Sequence, residues 1–77
     1  MNVSVLFFGQ ITDITGCSRV QLTDIQDSDQ LNDMLHLTYP LLKQAKYIIT
    51  VNRKIIRDNV TLSENVEVAL LPPFSGG

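Results

Sequence analysis

The sequence predicts an α+β domain, a mixed four- to five-stranded sheet with one main helix packed on one of its faces. Two stretches of period-two alternation, Asn2 to Phe8 and Val66 to Leu71, lie at the two ends of the domain and read as strands. Between them, Leu31, Met34, Leu35 and Thr38 recur at helical spacing. A single helix covers only one face of a sheet, so the other face is left open.

In the first strand Val3, Val5 and Phe7 point one way, and Ser4, Leu6 and Phe8 the other. Leu6 and Phe8 are apolar, so this second face is not simply a wet one. Ile11 and Ile14 lie one helical step apart before Gly16, a natural stop, which predicts a short helical turn. Cys17 to Leu22 reads as a second strand, with Val20 and Leu22 inward. Asp27 and Gln30 have the spacing of a capping box, with Ser28 as the alternative cap. Pro40 disfavours helical geometry at Tyr39, which ends the helix near Thr38. Leu41 to Ala45 is then a loop or single turn. Tyr47 to Val51 is apolar on both faces and reads as an internal strand. A turn at Asn52-Arg53-Lys54 leads to a short strand at Ile55-Ile56, and an irregular segment anchored by Leu62 comes next. Asn65 suits a left-handed position before the last strand. Strand, strand, helix, strand, short strand, strand is the β-grasp, or ubiquitin-like, order, in which the first and last strands run parallel at the sheet centre. Phe8 and Leu71 then meet at the ends of neighbouring strands on the uncovered face, where Leu71 is expected to be exposed.

The bulk numbers bound the function. Seventy-seven residues make one small domain, read as residues 1–71 with a tail at 72–77. The formal net charge of −2 and the lack of a large Lys/Arg cluster argue against nucleic acid or an anionic membrane as the main partner. No apolar run approaches the ~20 residues that span a bilayer. The start lacks the basic region of a signal peptide, and a lone cysteine, Cys17, fits a reducing, cytoplasmic setting. One Cys and one His make no zinc set, so neither a metal nor a bound cofactor is expected.

Few residues could carry chemistry. Cys17 reads as a structural thiol, with a sulfur-accepting or redox thiol as the rival reading. His36 is out of phase with Leu31 and Leu35 and reads as a surface residue rather than a catalytic one. Arg53, Lys54 and Arg57 form a small basic group, either a solvated turn or an aid in docking an acidic partner. The last residues, Pro72-Pro73-Phe74-Ser75-Gly76-Gly77, form a distinctive stretch. The prolines end the strand and stiffen the last residues into an arm that projects from the body. Gly76 and Gly77 lack a Cβ and fit a channel too narrow for other residues. The Gly77 carboxylate thus sits at the end of a thin arm; a frayed terminus is the plainer reading. No phosphate loop or nucleophile–base pair accompanies it, so any activation must come from another protein.

Val5-Leu6-Phe7-Phe8-Gly9-Gln10, Gly16, Val51-Asn52, Leu62 and Val68-Ala69-Leu70-Leu71-Pro72-Pro73-Phe74-Ser75-Gly76-Gly77 together resemble the small subunit of molybdopterin synthase, a ubiquitin-like sulfur carrier. The resemblance spans the chain, and the Pro-Pro-x-Ser-Gly-Gly ending is its specific part. It implies a carrier and co-substrate, not an enzyme in its own right. An adenylating enzyme would activate Gly77 with ATP and Mg, and a sulfur donor would convert it to a thiocarboxylate. The tail (Pro72, Pro73, Phe74, Ser75, Gly76) would enter the large synthase subunit, and the sulfur would pass to cyclic pyranopterin monophosphate. Phe8, Ile55 and Leu71 fall on the family's apolar docking surface. Asn65-Val66 stands where that family usually has Gly-Asp, and Thr12-Asp13 where it usually has Arg-Glu. A carrier of the same fold serving thiamine or tRNA thiolation, and an interaction module whose tail is never activated, are the rival readings.

Overall fold

A computed structural model describes residues 2–73. Its elements are β1 (Val3–Phe7), α1 (Ile11–Thr15), β2 (Arg19–Leu22), α2 (Ser28–Thr38), a 3-10 turn (Pro40–Gln44), β3 (Ile48–Val51), β4 (Lys54–Ile56) and β5 (Val66–Leu71). The five strands form one sheet in the order β2-β1-β5-β3-β4. β1 and β5 pair in parallel at its centre, and the other neighbours are antiparallel. This is the expected β-grasp arrangement, with β3 internal as its two-sided apolar pattern requires.

The alternation in the strands puts Val3, Val5, Phe7, Val66, Val68 and Leu70 on the covered face, all almost completely buried. Leu31 and Leu35 of α2 pack onto them with Ile25, Leu42 and Leu62. Met34, counted in the apolar stripe from its spacing, is 40% exposed instead. The buried stripe is completed by Ser28, one turn before Leu31. Its hydroxyl donates to Asn59 Oδ1 at 3.2 Å and accepts from Val60 N at 2.8 Å, which lets a polar residue sit there. The irregular segment after β4 is thereby tied to the start of α2.

Asp27 caps α2, its Oδ1 accepting from Gln30 N at 2.8 Å. The reciprocal bond of the capping box is displaced by one residue: Gln30 Oε1 accepts from Gln26 N, not from Asp27 N. Asn59 Oδ1 takes the Asp29 amide at 2.8 Å, so a distant residue satisfies another free donor of the first turn. Asn65 has φ 63°, the expected left-handed position. Asn52 and Arg53, with φ 50° and 71°, form a two-residue hairpin between β3 and β4, closed by the Val51–Lys54 pair.

Candidate docking face and tail root

Strand register determines what the uncovered face presents, because residues directly paired across strands share a face. One row runs Arg19, Leu6, Ala69, Thr50, Ile55 across all five strands. The next pairs Leu71 with Ile48. Phe8 extends β1 beyond its last paired residue, its amide donating to Leu70 O at 3.2 Å, which keeps it beside the end of β5. At the opposite end of the face Ser4 pairs with Gln21 and Glu67. The open face is therefore apolar toward the exit of the chain and polar toward the entry of β1 and β5.

Phe8 and Leu71 line one concavity of about 410 Å³ together with Leu6, Ala69, Thr50, Arg53 and Glu67. Phe8 is 44% exposed and Ile55 61%. Leu71 is partly buried, a correction to the expected open position. The reason is its strand: β5 is central, with Ile48 paired on one side and the Phe8 end of β1 on the other. Ile55 lies on the same face two strands from Leu71, flanking the concavity through its pairing with Thr50. Ala69 shares this face by alternation with Leu71; Ile48 and Thr50 also belong to it and were not singled out in the sequence, and only the register of β3 against β5 reveals them.

The tail begins at this concavity. Pro72 is buried, and Pro73 is exposed. The first proline thus packs on the body instead of projecting from it. It lies over Gly9, whose φ is 57°: a Cβ there would fall 2.7 Å from Pro72 Cγ. Gly9 is needed twice, for its left-handed backbone and for this close approach. Phe74, Ser75, Gly76 and Gly77 lie outside the described residues.

Of the remaining candidates, Cys17 and His36 are tied into the fold. Cys17 is partly buried, packs against the core, and has its Sγ 3.7 Å from Tyr39 Oη. That contact, with burial added, raises the Tyr39 hydroxyl above its usual pKa. His36 is not a free surface residue: its Nε2 lies 2.7 Å from Tyr47 Oη, which in turn donates to Asn32. Burial pushes the Tyr47 hydroxyl up, and the Asn32 bond partly opposes this. The basic group is divided. Arg53 joins the concavity, while Arg57 lines a separate groove beside Asp29, Asn32 and Asp58. Among the described residues there is no cluster of three metal-ligating side chains, and no helix is long and apolar enough to cross a membrane.

The chain is similar over its whole length to solved structures. A protein–protein complex of subunits 1 and 2 of molybdopterin-converting factor from Helicobacter pylori contains a chain 28% identical, with TM-score 0.77 and full coverage of both chains. Small archaeal modifier protein 1 from Methanosarcina acetivorans is 23% identical with TM-score 0.82, covering 99% of this chain and 96% of that one. SAMP1 from Haloferax volcanii is 19% identical with TM-score 0.81 and full coverage of both chains. These last two likenesses establish the fold. The ThiS family model matches residues 5–77, which takes in the uncovered face, the Gly9–Pro72 contact and the Gly-Gly end, and the chain belongs to the ThiS family.

Proposed function

We propose that the chain is the sulfur-carrier subunit of a molybdopterin synthase. The observation that carries the reading is the meeting of Phe8 and Leu71 in one concavity at the root of a tail ending in Gly-Gly. The likeness to subunit 1 in the Helicobacter pylori complex supports it, since that protein is seen with its subunit 2. A carboxylate is a poor electrophile, so the Gly77 carboxylate first attacks the α-phosphorus of Mg-ATP on an adenylating enzyme, releasing pyrophosphate. A sulfur donor at the sulfide level then attacks the acyl carbon and AMP leaves, giving a thiocarboxylate. The apolar face docks on the large synthase subunit, the arm from Pro73 onward enters its active site, and the sulfur passes to cyclic pyranopterin monophosphate. Catalysis lies with the partners; this chain supplies the reacting group and its presentation.

The test is reconstitution. Thiocarboxylated chain plus large subunit should convert cyclic pyranopterin monophosphate to molybdopterin, and removing Gly76-Gly77 should abolish conversion. A second reading, a carrier for thiamine or tRNA thiolation, is favoured by the family match over 5–77. It requires sulfur delivery to a thiazole precursor or a tRNA and no delivery to the pyranopterin.

A further inference from the structure

We infer that Arg53 is a specificity-determining residue of the docking face, and that the partner surface seated there places a carboxylate against it beyond the apolar concavity. The inference rests on the docking reading above and names the chemistry of the partner at one position.

The backbone gives the first reason. The second central position of a two-residue hairpin of this type favours glycine, because φ is positive there. Arg53 occupies it at φ 71°. A long side chain held in that region costs stability, and such outliers concentrate at recognition sites. The surroundings over-determine the turn. Asn52 N donates to Glu67 O at 2.8 Å, and Asn52 Oδ1 accepts from Glu67 N at 3.1 Å. Both bonds clip the hairpin to β5, so the base of Arg53 is held at the rim of the concavity that Phe8 and Leu71 line.

Charge gives the second. The chain is acidic overall, yet on this face Glu67 is accompanied by Arg19 and Arg53. The other acids lie elsewhere: Asp13 on α1, Asp24 before α2, Asp27, Asp29 and Asp33 at its cap or along it, and Asp58 and Glu64 in the segment before β5. The docking face thus sets two arginines against one carboxylate around an apolar centre, a local excess of positive charge that suits a partner with an acidic rim. Arg is suited to the role because its planar guanidinium binds a carboxylate with two parallel hydrogen bonds, which Lys cannot do.

Arg53→Gly separates recognition from folding, since glycine relieves the backbone while deleting the charge. The full chain is titrated calorimetrically with the large subunit of molybdopterin synthase from the same organism, at low and high salt, with Arg53→Lys and Arg53→Glu beside it. Arg53→Gly should melt at a temperature equal to or above that of the parent and bind about tenfold more weakly. Arg53→Glu should lose about thirtyfold or more, Arg53→Lys an intermediate amount, and the differences should shrink at high salt. Parent-like binding by Arg53→Gly overturns this inference alone. Absence of binding by the parent chain overturns both it and the docking reading.

Discussion

Gly9 and Pro72 are locked together: the proline ring packs so closely on Gly9 that a Cβ there would fall 2.7 Å from Pro72 Cγ. The contact joins the end of β1 to the root of the tail and so sets the direction in which the chain leaves the sheet. Gly9→Ala combines a positive-φ strain with a clash against a rigid ring, and should destabilise the fold by about 1–3 kcal/mol. Chemical denaturation measures this. Sulfur transfer under conditions where the variant remains folded should fall as well, because the arm is re-aimed.

Phe8 is the cleaner probe of docking. It is 44% exposed, so Phe8→Asp should cost less than about 1 kcal/mol of stability and still abolish capture of the large subunit. Leu71→Asp is a poorer probe, since Leu71 is partly buried in a central strand and a charge there costs folding free energy directly. Matching loss of binding and of melting temperature in Phe8→Asp would mean that the residue is structural.

The cap of α2 is separable from function. Asp27→Ala removes the acceptor of the Gln30 amide and should destabilise by about 0.5–2 kcal/mol, read as a lower denaturation midpoint with an unchanged slope. The affinity of the folded chain for the large subunit should be unaltered, because α2 lies on the opposite face of the sheet.

Much of this was legible in the residues. Alternation in β1 and β5 assigned faces to Phe7 and Phe8 and to Leu70 and Leu71, and Asn65 announced its left-handed turn. What was hidden depends on contacts between distant segments. Pro72 looked like the first residue of a projecting arm because nothing local shows that Gly9 receives it. Leu71 looked exposed because alternation reports the face, not how closely flanking strands crowd a residue. Met34 fitted the helical stripe, yet the buried residues of α2 are Ser28, Leu31 and Leu35, and Met34 stays open. Arg53 read as part of a basic turn until the β3–β4 register placed it beside the concavity and Arg57 elsewhere.

The two raised tyrosines predict an alkaline limit. Burial of the Tyr47 hydroxyl raises its pKa above 10.0 in the fold, so the folded state holds its proton where the unfolded chain loses it. This stability is fully present below pH 10.0 and is lost as pH rises through the folded value; Tyr39, raised by its Cys17 contact, acts in the same direction. Denaturation midpoints should be flat with respect to these groups up to about pH 10 and fall above it, with tyrosinate absorbance appearing as the chain unfolds. Tyrosine ionisation near 10 without loss of structure would contradict the burial argument.

The central claim is that Gly77 is a reacting group. Intact-mass analysis of the chain after incubation with its adenylating enzyme, Mg-ATP and a sulfur donor tests it most directly. The predicted result is a mass gain equal to one oxygen-to-sulfur exchange, localised to the C-terminal peptide and absent when ATP is omitted or Gly77 deleted. An unchanged mass, with the enzyme active on a known carrier in the same reaction, would contradict it.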